Sequence, residues 1–166
     1  RNRRITAWVR EKLEAIRASD SPWSEFAFTV HGTMADPRWL DPSIEPSDRK
    51  PGSCYLGDPK IVNDGPVGLA RFCTLRSWLS QWSYDDARCD AIASGGRISV
   101  PVLVVGNSAD DACTPSHTQR LYDAVTHERK HLHVVKGATH YYTGAHGAEH
   151  MAEACGVIEN FLTRQW

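Results

Sequence analysis

A chain of 166 residues with net charge −1 and a pI near 6.8 has room for a hydrophobic core, and it offers no electrostatic case for binding nucleic acid or an acidic membrane surface. No apolar run approaches the ~18 residues that cross a bilayer, so no membrane span is expected. The five cysteines, Cys54, Cys73, Cys89, Cys113 and Cys155, are odd in number and contain no C-x-x-C. That pattern argues against a disulfide scaffold or zinc knuckle, and for thiols packed as small apolar residues.

In chain order, Ile5, Trp8, Val9, Leu13 and Ile16 recur at helical spacing and predict an amphipathic helix over residues 3–18, ended by Ser19-Asp20-Ser21-Pro22. Residues 26–30, FAFTV, predict a strand that runs into His31-Gly32-Thr33. Residues 34–66 hold six of the nine prolines and predict a long, lid-like excursion, anchored by Trp39, Ile44, Tyr55, Leu56 and Ile61. Its acids, Asp36, Asp41, Glu45 and Asp48, lack the calcium-loop pattern and suit turn and cap roles. A stripe of Leu69, Phe72, Leu75, Leu79 and Trp82, with Trp78 beside it, predicts one helix over residues 67–92. Ser77 and Ser80 lie in it without the flanking glycines that a sharp nucleophile-bearing turn needs.

After Ser94-Gly95-Gly96, residues 100–105 are continuously apolar and predict a strand covered on both faces. A helix is expected over 115–126 with Leu121 and Val125 inward, and a second strand over 131–135. A terminal helix over 145–164 follows, presenting Met151, Ala154, Val157, Ile158, Phe161 and Leu162. Each strand ends in a loop of small residues: the first carries Asp110 and Asp111, the second His140. A βαβ unit of this kind brings an acid and a histidine to the carboxyl edge of a parallel sheet, where open α/β sheets do their chemistry.

The rival chemistry is metal. His146 to His150 spells H-x-x-E-H, and a helix would set both histidines on one face. No third ligand is evident, so no metal site is assigned. His131 and His133 share a strand face, again without a third ligand, and are expected at the surface or an edge.

The stretch VPVLVVGNSADDACTP followed by HLHVVKGATHYY resembles the C-terminal part of the α/β-hydrolase family, over roughly the last seventy residues. The resemblance implies an α/β fold: part of a mostly parallel sheet with flanking helices and a lid-like loop. Residues 1–166 would form a partial domain, with 98–166 bearing the acid and the histidine. It implies a Ser–Asp–His triad, with His140 as base and the first aspartate of A-D-D-x-x-x-P, Asp110, as acid. Asp111 is the alternative acid. The implied substrate is a small ester or thioester, and no cofactor is called for. His31-Gly32 resembles the family's oxyanion loop, but no nucleophile elbow follows it.

The family's G-x-S-x-G is absent from all 166 residues. The chain also begins at Arg1, and a complete fold of this family runs to well over ~200 residues at about 25–30 per βα unit. A fragment or processed chain is therefore expected. Its nucleophile would come from a segment not in this chain, and the N-terminal half of the same fold would be its partner. The competing expectation is a non-catalytic binding or assembly domain of hydrolase-like fold. The compartment is left open, leaning towards the cytoplasm.

Overall fold

The structure, a computed structural model, describes residues 1–32, 37–41, 43–65 and 72–164. Its elements in chain order are α1 (Asn2–Arg17), β1 (Ala27–Thr29), α2 (Pro37–Leu40), α3 (Pro59–Asp64), β2 (Phe72–Thr74) and α4 (Leu75–Ser77), which runs into a π turn at Trp78–Trp82. Then come α5 (Ala91–Gly95), β3 (Val102–Asn107), α6 (Pro115–Ala124), β4 (Lys130–Val135) and α7 (Gly147–Thr163). They fall into two compact units, Arg1–Ala35 with Lys60–Asp90, and Asp36–Pro59 with Ala91–Trp166.

In the first unit, α1 buries Thr6, Val9 and Leu13 against Val30, Cys73, Leu75 and Trp78. The strand expected over 26–30 forms as the three-residue β1, paired antiparallel with β2. The core contains a chain of polar bonds. The Trp78 Nε1–H donates to Thr6 Oγ1 at 3.0 Å, the Thr6 hydroxyl to Ser83 Oγ at 3.1 Å, and the Ser83 hydroxyl to Asp86 Oδ2 at 2.7 Å. Each buried hydroxyl thereby finds a partner and avoids the ~1–3 kcal/mol cost of an unmet group.

The single helix expected over residues 67–92 does not form. Residues 67–71 lie outside the described residues, Phe72–Thr74 is strand, helix runs from Leu75 to Trp82, and the next helix, α5, begins only at Ala91. Two caps override the apolar stripe. Thr74 and Ser77 bond each other's backbone N–H in a capping box that starts the helix at Leu75. Ser83 leaves the helix with ψ 128° and its Oγ accepts from the N–H groups of Asp85 and Asp86, turning the chain away.

In the second unit, β3 and β4 pair in parallel, from Val102 opposite Lys130 to Asn107 opposite Val135, with α6 as the crossover. Alternation sends Val104, Gly106, Leu132 and Val134 to the α6 face, and Leu103, Val105, His131, His133 and Val135 to the α7 face. A Cβ on Gly106 would lie 2.6 Å from Thr118 Cγ2, so glycine sets how closely α6 approaches the strands. The two expected strands and the helices at 115–126 and 145–164 all form, with ends shifted by a few residues. Among the described residues the strands make two separate ladders, one parallel and one antiparallel, rather than one mostly parallel sheet. Residues 72–74, which the apolar stripe assigns to helix, form the strand that pairs with β1.

Several finer expectations change. Short helices α2 and α3 interrupt the excursion, whose residues 34–36, 42 and 66 lie outside the described set. Trp39 is buried and Tyr55 half-buried, but Ile44, Leu56 and Ile61 are exposed. The excursion is held instead by buried Arg49, which donates to the carbonyls of Arg38, Ile44 and Glu45 and lies over the Trp39 ring. On α7, Ala154 is buried, while Met151, Ile158 and Leu162 are exposed. Among the described residues His131 and His133 lie on a strand of a two-stranded ladder, at an edge as expected, where the first ring meets Phe161 and the second bonds Glu153 at 2.7 Å. All five cysteines are free, and only Cys54 and Cys73 are buried. Among the described residues no helix is long and apolar enough to cross a membrane.

Leu75 and Phe72 belong to one apolar stripe in the sequence, yet Leu75 is fully buried and Phe72 is 75% exposed. Leu75→Ala should cost about 2–5 kcal/mol in urea unfolding, and Phe72→Ala less than about 0.5 kcal/mol.

Candidate functional site

Asn107 and Val135 end their strands level with each other, so the loops that follow leave the sheet side by side. The first loop turns back through the Ala109 N–H, which donates to the Ala138 carbonyl of the second at 3.0 Å. Asn107 Nδ2 donates to the Thr139 carbonyl at 2.9 Å, just ahead of His140. Both aspartate candidates come to this edge, and they do different things there.

Asp110 faces the imidazole. His140 Nδ1 lies 3.2 Å from its Oδ1 and 3.1 Å from its Oδ2. Oδ1 also accepts the N–H groups of Ala112 at 2.8 Å and Cys113 at 2.6 Å, a turn in which the carboxylate orients its own loop. The Asp110 side chain is 12% exposed and that of His140 33% exposed. Burial of this degree excludes most water from the shared bond and leaves part of the ring reachable. Asp111 fastens backbone: its Oδ1 accepts the His140 N–H at 3.3 Å, and its carbonyl accepts the Tyr55 N–H at 2.9 Å.

An acid at Nδ1 selects the tautomer whose Nε2 lone pair can accept a proton, and it stabilises the imidazolium that results. Among the described residues no side chain bonds His140 Nε2. Aromatic rings border the histidine: Tyr141 at 4.7 Å and Tyr55 at 6.2 Å between centroids, with the two tyrosines 5.9 Å apart. Burial first, then Tyr141 and the neighbouring thiols of Cys54 and Cys113, push the Tyr55 hydroxyl up, so it stays a neutral phenol.

The loop carrying His140 depends on two backbone features. Tyr142 takes a left-handed φ of 53°, and Gly147 begins α7 so close behind it that a Cβ there would fall 1.9 Å from the Tyr142 carbonyl oxygen. Glycine is thus required where H-x-x-E-H begins its helix, and at a first helical position it costs little. His146 Nδ1 bonds Glu149, and the His146 and His150 rings stand 6.2 Å apart. Among the described residues no three His, Cys, Asp or Glu side chains converge as metal ligands would. Ser77 bonds Thr74 and Ser80 bonds the Ser77 carbonyl, both far in sequence from the pair and in the other unit.

Sequence reasoning passed over Tyr55 as a neighbour of the histidine, and Glu45 as more than a local turn residue. Glu45, itself at a left-handed φ of 60°, sits at the N-terminus of α6, directly after the acid-bearing loop. Its carboxylate accepts the Ser116 N–H at 2.7 Å and the Ser116 hydroxyl at 2.8 Å, with Arg38 Nη1 at 3.5 Å. Burial presses Glu45 towards its neutral form. The bonds from Ser116 and Thr114 and the charge of Arg38 outweigh that and hold it below the usual glutamate range.

No protein-family model matches the chain, and no curated protein matches it. Among solved structures it is similar to the crystal structure of the monoacylglycerol lipase of Paleococcus ferrophilus, at 18% sequence identity and a TM-score of 0.42. The match covers 90% of this chain and 52% of that one, so the chain spans about half of that structure's length.

Because the folded value of Glu45 is depressed, its stabilising contribution is complete above the unfolded glutamate pKa and is lost as pH falls through the folded one. Thermal unfolding should find Glu45→Gln less stable than the parent at about pH 6 and the gap closing towards about pH 3.

Proposed function

We propose that this chain carries the acid and base of a serine hydrolase of α/β-hydrolase type that cleaves a small ester or thioester. The observation that supports this reading is the bond between His140 Nδ1 and the Asp110 carboxylate, at the carboxyl edge of a parallel βαβ unit. The order of acid before histidine agrees with the family that the sequence resembles. The nucleophile would be a serine on a segment outside this chain, the N-terminal half of the same fold, since no G-x-S-x-G occurs in these 166 residues.

In the reaction, the serine oxygen adds to the substrate carbonyl carbon while His140 Nε2 takes the hydroxyl proton. Asp110 holds the Nδ1–H and offsets the positive charge on the ring. The imidazolium then gives its proton to the departing alcohol or thiol, leaving an acyl-serine. Water attacks that ester through the same base, releasing the carboxylic acid and restoring serine. No cofactor takes part. The rings of Tyr55 and Tyr141 suit a partly apolar substrate, and the excursion at 34–66 would serve as the lid over it.

A non-catalytic binding domain is the second reading, favoured by the missing elbow. Fluorophosphonate labelling of the protein with its natural partners, followed by peptide mapping, separates the two. The hydrolase reading expects a labelled serine outside these residues, with labelling lost in His140→Ala. It also expects turnover reduced by about 10³–10⁴-fold in Asp110→Asn. Absence of label on any associated chain, with the protein folded, transfers the case to binding.

A further inference from the structure

We propose that Asp48 and Ser108 are positioning residues, which hold the acid-bearing and histidine-bearing loops at the spacing the Asp110–His140 pair needs. Ser108 is the first residue after β3 and touches both loops. Its N–H donates to the Val135 carbonyl at 3.1 Å, and its Oγ accepts the Gly137 N–H at 2.7 Å. Its hydroxyl proton goes to Asp48 Oδ2 at 2.6 Å. The sequence of bonds is therefore Gly137 N–H to Ser108 O–H to the Asp48 carboxylate, a polarised chain that ends on a charge.

Asp48 also reaches both loops. Its own N–H donates to the Ser108 carbonyl at 3.1 Å, and its carboxylate meets Lys136 Nζ at 2.8 Å. The Lys136 bond first, then the Ser108 hydroxyl, hold the Asp48 carboxyl below the usual range. Lys136 is 85% exposed, so its ion pair adds little. The Ser108 bridge carries the constraint. Gly137 adopts φ 77°, a turn that L side chains rarely make, where it meets Ser108.

The lever arms are short. Ser108 stands two residues before Asp110, and Gly137 three before His140. A shift of about 1 Å between the loops would open the contact at His140 Nδ1 past hydrogen-bonding distance, and misplacement on that scale costs about 100-fold in catalysis. The excursion thus has a part in the site besides supplying Tyr55: it sets the geometry of the pair from outside. The catalytic consequence rests on the hydrolase reading above, whereas the coupling to the imidazole does not.

Long-range ¹H–¹⁵N correlation of the imidazole rings tests this in the intact protein, because it reads the His140 tautomer with or without turnover. The neutral parent should show the proton on Nδ1. Asp48→Ala and Ser108→Ala should lose that preference and the double variant should be no worse than either, while Lys136→Ala keeps it. Ser108→Thr, which retains the hydroxyl, should restore it, and Ser108→Ala against Ser108→Thr decides the matter even where Asp48→Ala fails to fold. In the complete enzyme, Ser108→Ala should lower kcat about 100-fold with KM unchanged, the mark of an interaction felt in the transition state. A folded Ser108→Ala with the parent's tautomer overturns the proposal. If the tautomer shifts as expected but no serine takes up fluorophosphonate, the positioning stands and the hydrolase reading falls.

Discussion

The parallel pairing of β3 with β4 is the constraint on which the rest of the second unit depends. Six residues of each strand are in register and both strands end at the same level. A slip of one residue would move one loop by about 3.3 Å along the sheet and would turn His131, His133 and Val135 from the α7 face to the α6 face. The faces are too different to allow it. One side needs Gly106 under Thr118, and the other needs Val135 under Ala138 and Ala154. Packing therefore specifies the register, and the register delivers Asp110 and His140 to the same place.

Polar bonds supply what the narrow sheet does not. A two-stranded ladder has little surface to order three loops, and the unit uses backbone groups and charges instead. Asn107 holds the Thr139 carbonyl, Asp111 holds the His140 N–H, and Asp110 holds the amides that follow it. Arg49 gathers the carbonyls of the excursion, and Glu45 ties it to the start of α6. Each bond is worth only about 0.5–1.5 kcal/mol net. They converge on one edge, so their effect on geometry exceeds their effect on stability.

The first unit follows another logic. Its core is aromatic and aliphatic around α1, and the polar chain from Trp78 through Thr6 and Ser83 to Asp86 crosses it. Ser83 also ends the helix that the Thr74–Ser77 capping box begins between residues 72 and 86. A hydroxyl that caps a turn and also satisfies a buried partner makes a firmer boundary than an apolar period makes a helix.

By itself the sequence determined the elements whose signal is local and continuous: α1, β3, α6, β4 and α7. It also determined which residues could serve as acid and base at the ends of two strands. Short-range periodicity suffices for the first, and the placement of small-residue loops after apolar runs for the second. It could not say which of the two aspartates meets the imidazole, because adjacent aspartates have the same chemistry. Only the folded turn, with two amides on Asp110 and the His140 N–H on Asp111, separates them. The stripe at residues 67–92 misled because hydrophobic spacing does not register caps, although T-x-x-S at Thr74 and S-x-x-D at Ser83 stand in the chain. The roles of Glu45, Asp48, Arg49 and Tyr55 belong to tertiary structure alone, since each acts on a partner that the chain brings near only after the excursion has closed on itself and on the loops of the βαβ unit.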